Sequence, residues 1–273
     1  MRGMAAGLLV VSLLGAAEVG PERGALLVVG GGELGAEIRR TFLELAGGQG
    51  AALVVIPTAG EEERYGQDHR DAEMWRGVGF GEVTVLHTRD KAQADKESFA
   101  APLRRGKAVW FSGGRQWRLV DSYLGTRTQR EIEAVLERGG VIGGTSAGAT
   151  IQGSYLVRGA REGNTIMMAP GYEQGFGYLR GVAVDQHLIA RNRERDLVPV
   201  VARFPKLLGL GIDEGTALVV RGDRARVIGV SKVAVYEHAS RAAEGYYFLE
   251  AGEEFDLRLR RRVGTLQNAG GVK

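Results

Sequence analysis

The chain has 273 residues, 44% hydrophobic and 25% charged, enough to bury a full core in one α/β domain. A net charge of +3, spread along the chain rather than gathered in a basic block, argues against nucleic-acid binding. With no cysteine, disulfides, thiolate metal ligands and a cysteine nucleophile are excluded, so any covalent chemistry falls to serine or threonine.

Arg2, an apolar run from Ala5 to Leu14 and the small residues Gly15, Ala16 and Ala17 have the order of a secretory leader, too short to span a bilayer. The expectation is a signal peptide over 1–17 and a secreted or periplasmic protein if it is cleaved, a cytoplasmic one otherwise. One catalytic domain is expected over 24–262, followed by a disordered tail over 263–273.

Ala25 to Val29 is a short apolar run before Gly30-Gly31-Gly32, and Leu34, Ile38, Phe42 and Leu45 then recur at helical spacing: strand, turn, helix. Ala52 to Ile56, Val83 to Leu86 and Ala108 to Phe111 are further buried-type strands. Between them Glu61 to Val78 is predicted as a helix. Thr128 with Glu131 forms a capping box ahead of Ile132, Val135 and Leu136, and Gly139-Gly140 ends that helix. This alternation predicts an α/β fold, a mostly parallel doubly wound sheet flanked by helices. Later strands come fast: Val182 to Val184, then Ala217 to Val220, Ala225 to Val230, Lys232 to Tyr236 and Tyr246 to Leu249, with short turns such as Gly222-Asp223. These are expected as C-terminal antiparallel hairpins extending the main sheet.

Gly30-x-Gly32-x-x-Gly35 matches a dinucleotide fingerprint, but the next strand ends in Pro57-Thr58 instead of an acidic residue, so the glycines read as a turn. The run Val141 to Ser146 is more informative: an apolar strand entering Gly144-Thr145-Ser146-Ala147-Gly148, a sharp turn that lifts one hydroxyl. A serine hydroxyl needs a base and a group that orients the base. His187, after the strand at Val182 to Val184, is the candidate base, with His238 as a rival in an α/β-hydrolase esterase order. His69 and His87 read as structural. Asp213 and Glu214, adjacent in a turn, are equal candidates for the acid. The amide of Ala147 is one oxyanion donor, and that of Gly114, or else Gly113, the second. Arg191, Arg193 and Arg195 suit a substrate with free carboxylates. No cluster implies a metal or organic cofactor.

In order along the chain, Val29-Gly30-Gly31-Gly32, Val54 to Ala59, Phe111 to Gln116, Gly143 to Ala149, Val184 to His187 and Gly211 to Ala217 resemble the cyanophycinases. That serine peptidase group includes peptidase E and has the class I glutamine amidotransferase-like, flavodoxin-like fold. The resemblance implies hydrolysis of cyanophycin, poly-aspartate with arginine on each side chain, to β-aspartyl-arginine dipeptides. It implies a triad of Ser146, His187 and Glu214, breaking both ties, and substrate binding by Gln116, Asp185, Gln186, Arg191 and Arg193. A homodimer is implied too. Two positions depart: Arg115 stands where aspartate is common, and Asp196 where a further arginine is usual, which leaves room for another β-aspartyl or acidic peptide as substrate. A non-catalytic amidotransferase-like binding domain is the alternative from outside enzymology.

Overall fold

The computed structural model describes residues 18–238 and 242–264. The leader and all of the expected tail beyond Gly264 lie outside them. In chain order the elements are β1 (Ala25–Val29), α1 (Ala36–Leu45), β2 (Leu53–Ile56), α2 (Arg70–Val78), β3 (Val83–Val85), α3 (Lys91–Ala94), α4 (Glu97–Ala100), β4 (Ala108–Phe111), α5 (Gln116–Tyr123), α6 (Arg127–Glu137), β5 (Val141–Thr145), α7 (Ala147–Thr150), β6 (Gly153–Tyr155) and β7 (Leu179–Gln186). Then follow α8 (Val198–Arg203), β8 (Leu208–Ile212), β9 (Thr216–Arg221), β10 (Arg224–Gly229), β11 (Val233–Tyr236), β12 (Tyr246–Leu249), β13 (Glu254–Asp256) and β14 (Arg261–Arg262).

The main sheet runs β14-β13-β10-β9-β1-β5-β4-β2-β3. Its five strands from β1 to β3 are parallel, and each apolar run that reads as a buried strand lies there, because helices cover both faces. From β9 outward the pairing is antiparallel, and β9 and β10 meet at the two-residue turn Gly222-Asp223. The C-terminal strands do not all extend this sheet. β7 and β8 pair in parallel, β6 joins β7, and β11 and β12 add antiparallel to β8, giving a second sheet in the order β12-β11-β8-β7-β6. Val182, Val184, Leu208, Leu210, Ile212, Val233 and Val235 from it share one buried cluster with Leu26, Val28, Ile56, Phe111 and Ile142 of the main sheet. That shared core is why β11 cannot follow β10 in one layer.

Two expected local features shift. The helix expected from Glu61 is α2 alone, starting at Arg70; Glu61 to His69 form a loop. Gln67 in that loop donates to the carbonyl of Val85 at 3.0 Å and accepts from its N–H at 2.8 Å, so a side chain supplies the pairing that the free edge of β3 lacks. Helix α6 buries Ile132, Val135 and Leu136 as expected, but its cap is Thr126, whose hydroxyl accepts from Gln129 N–H at 3.4 Å. The Oε1 of Gln129 in turn accepts from Gly125 N–H at 2.7 Å, so the helix start is capped two residues earlier than Thr128 and Glu131, with Gln129 reaching the residue before the cap. Thr128 is buried instead and donates to the carbonyl of Ala94.

Candidate active site

Strand β5 lies between β1 and β4 in the main sheet, and Ser146 is its first residue beyond the sheet, at the N-terminus of α7. Its backbone has φ 55° and ψ −114°, a conformation that costs a non-glycine residue on the order of 1–3 kcal/mol. The neighbours enforce it. Ser146 N–H donates to Val29 O at 3.0 Å, and its carbonyl accepts from Ala149 and Thr150. The flanking glycines have separate steric reasons: a methyl on Gly144 would lie 2.3 Å from Gly148 O, and one on Gly148 would lie 2.3 Å from Phe111 O. Only glycine permits this tight strand-to-helix passage.

His187 follows β7, also with positive φ (54°), and its N–H donates to Gly30 O at 2.8 Å, which ties the second sheet to the turn after β1. The hydroxyl of Ser146 stands 2.8 Å from Nε2 of His187, and Nδ1 of the ring is hydrogen-bonded to the Glu214 carboxylate. An ionised carboxylate can only accept, so Nδ1 carries the proton and Nε2 is left to accept from the serine. Burial pushes the imidazole pKa down; Glu214 pulls it up, Arg191 and Arg193 push it down again, and the net position is below the ordinary value.

Gly31 and Gly32 form the floor of this arrangement. A methyl on Gly31 would lie 2.2 Å from the His187 ring and one on Gly32 would lie 2.8 Å from Glu214 Cβ, and both have positive φ. The glycine triplet that resembles a dinucleotide fingerprint is thus a turn, and one whose missing side chains leave room for the imidazole and carboxylate. Gly113 abuts Ser146: a methyl there would be 3.9 Å from its Oγ. Gly114 packs elsewhere, with a methyl position 2.1 Å from Ala59 O, so of the two glycines considered as oxyanion donors Gly113 is the one beside the hydroxyl. Ala147 is the first residue of α7, and its N–H is among those that a helix leaves unpaired within itself.

Asp213 faces away from the histidine. Its carboxylate accepts from Ile189 and Ala190 N–H at 2.9 and 3.0 Å and from the Ser231 hydroxyl at 2.7 Å, fixing the chain just after His187. Burial opposes its ionisation, but these donors and Glu214 N–H outweigh it and hold the carboxyl below its ordinary pKa. His238 lies at the other end of the second sheet. It follows Tyr236, which pairs with Gly209 near the start of β8, whereas His187 follows Gln186, which pairs with Ile212 at its end. The strand rise between those registers, roughly 3.3 Å per residue, puts the rival base out of reach of Ser146.

The residues expected to bind substrate are mostly committed inside the protein. Gln116 is buried and donates to Val157 O at 2.8 Å. Arg193 is buried and donates to the carbonyl and the side-chain oxygen of Gln186 at 3.1 and 3.0 Å. Asp185, fully buried, accepts two bonds from Arg158 at 2.7 and 2.9 Å. Arg158 also donates to Asp196 at 2.5 Å, so the acidic residue standing where a cation is usual neutralises a buried guanidinium. Arg195 pairs with Glu244. Arg191 is exposed, and its charge reaches His187. Arg158 carries no sequence signal beyond one cation after an apolar run, and its importance comes only from folding.

A cleft of about 330 Å³ opens at the serine, lined by Gly31, Leu34, Arg70, Asp71, Gly113 and Thr145 beside Ser146 and His187. Asp71, in the first turn of α2, accepts from the Ser112 hydroxyl at 2.6 Å. Among the described residues no group of three or more His, Cys, Asp or Glu is placed to hold a metal ion, and no helix is long and apolar enough to cross a membrane.

Residues 26–228 match the model of peptidase family S51. The chain is 33% identical over 221 residues to a cyanophycinase of Geminocystis herdmanii (strain PCC 6308), covering 79% of this chain and 81% of that one. It is 34% identical over 224 residues to a cyanophycinase of Trichormus variabilis (strain ATCC 29413 / PCC 7937), covering 78% and 73%. The crystal structure of a peptidase from an acI-B1 Actinobacterium superposes with a TM-score of 0.66 at 25% identity, over 87% of this chain and 98% of that one.

Proposed function

Since the chain belongs to peptidase family S51 and is a serine peptidase, we propose that Ser146 is its nucleophile, His187 its general base and Glu214 the carboxylate that orients the base. The observation that carries this reading is the continuous hydrogen-bonded line from the Ser146 hydroxyl through the imidazole to Glu214, with the serine held on a strained turn. His187 takes the hydroxyl proton as Oγ attacks the substrate carbonyl. The N–H groups of Ala147 and Gly113 receive the oxyanion. The imidazolium returns the proton to the leaving amine, and a water, activated by the same histidine, hydrolyses the acyl-enzyme.

For the substrate, the proposal is a β-aspartyl peptide of the cyanophycin kind, supported by the names of the relatives. Another β-aspartyl or acidic peptide is the second reading, favoured by the use of Asp196 and Asp185 to neutralise Arg158. Incubating the protein with insoluble cyanophycin and identifying soluble products by mass separates them: β-aspartyl-arginine supports the first reading, and no release alongside cleavage of other β-aspartyl peptides supports the second. Ser146→Ala should remove release and fluorophosphonate labelling while the protein stays folded; activity retained in that variant would overturn the mechanism.

A further inference from the structure

We infer that Asp71 is a specificity residue of the active-site cleft, receiving a cationic group of the substrate, a guanidinium or an ammonium, beside the scissile bond. This rests on the proposed role of Ser146. A cationic substrate group needs an ionised carboxylate within reach of the reacting serine. Asp185, which the family resemblance nominates for substrate binding, is fully buried, and both its oxygens are occupied by Arg158. Asp213 is occupied by Ile189, Ala190 and Ser231, and Glu214 by His187.

Asp71 is the carboxylate that lines the cleft together with Ser146, His187 and Gly113. Ser112, next to Gly113, holds its Oδ2 at 2.6 Å, and the His69 ring accepts from its N–H at 3.2 Å, so the side chain is pre-positioned at the rim. Among the described residues its other oxygen is paired with the Arg70 guanidinium alone, at 3.5 Å, on a side chain that is 87% exposed. So long and solvated a contact yields readily to a cation bound in the cleft. Beyond Arg70 and Gly113, residues that line both, lies a second hollow where Glu61, Glu62 and Asp68 line the wall together with His69 and Arg70.

The test uses the full chain and a synthetic peptide of three β-aspartyl-arginine units, compared with the same peptide carrying citrulline, which is isosteric and neutral, and with its N-acetylated form. Binding is measured on Ser146→Ala, turnover on the otherwise unchanged enzyme, each with and without Asp71→Asn. The expected result is that the arginine peptide, or the free over the acetylated amine, is preferred by tenfold or more, and that Asp71→Asn brings the preference close to one. Loss on citrulline substitution identifies a guanidinium, and loss on acetylation identifies the α-ammonium. A preference that Asp71→Asn leaves intact, or the absence of any preference, overturns the inference. Glu61→Gln with Glu62→Gln, on the exposed loop, should reduce the preference by a smaller factor and keeps the test available if Asp71→Asn misfolds; no reduction there counts against the inference. Because binding is read on Ser146→Ala, an Asp71-dependent preference without turnover in the parent enzyme would sink the catalytic reading alone.

Discussion

Ser146 and His187 both occupy backbone angles that disfavour side chains, and both are held there by hydrogen bonds to the turn after β1 or its flanks. Such positions are stable only when surroundings over-determine them, which suits side chains that must meet at 2.8 Å before a substrate arrives. A general base acts in its neutral form, and burial keeps His187, the proposed base, neutral to lower pH than a free imidazole. The acidic limb of kcat/KM should therefore fall below about pH 6.5, with activity lost as pH drops through the histidine pKa and full above it. Glu214→Gln removes a contribution that raises that pKa, so the limb should move to still lower pH while kcat falls by roughly 10²–10⁴. A pH–rate profile of both proteins checks this; a limb moving upward would contradict the assignment. At this scale the strained turn that presents Ser146, the proposed nucleophile, was legible because glycines at two-residue spacing around a serine have a steric meaning. The choices between His187 and His238, and between Asp213 and Glu214, were not legible from residue chemistry: the first turns on which end of β8 each histidine adjoins, the second on which of two adjacent side chains faces the imidazole.

Strands on the parallel side were readable because burial on both faces demands unbroken apolar runs. The two sheets were not, because the alternation of β10 and the buried apolar run of β11 each suit a strand of either sheet, and nothing local says that the chain changes layers between them. The loop from Glu61 to His69 differs from the helix its sequence predicts: its polarity suits an exposed helix, while Gln67 is spent on Val85. At α6 the periodicity located the buried face, but the cap depends on which threonine side chain points at the helix end. Thr126 is buried there and also donates to Tyr123 O at 2.7 Å. Thr126→Ala should cost about 1–2 kcal/mol and lower Tm by several degrees, with kcat/KM unchanged. Thermal unfolding checks this, and an unchanged Tm would mean that the hydroxyl contributes nothing to the helix end.

The whole molecule depends on its two sheets being one body, because the serine comes from one and the histidine from the other. Their apolar faces share a single buried cluster, and the main-chain bonds of Gly30 and Gly31 to His187 and Gly215 stitch their rims. Denaturant should consequently abolish fluorophosphonate labelling, tryptophan fluorescence change and far-UV circular dichroism in one coincident transition. Labelling lost at a clearly lower denaturant concentration than secondary structure would mean that the second sheet separates first.

The amide of Gln67 has an effect at the margin of the main sheet that reaches past its own loop. By occupying both polar groups of Val85, it impersonates a neighbouring chain, and the opposite margin ends in the two-residue, doubly cationic β14. Exposed margins are where like molecules add to one another in register and begin to polymerise. Here one is partly covered from within and the other is short and cationic, so crowded copies of this protein find less foothold on the main sheet for strand-by-strand growth.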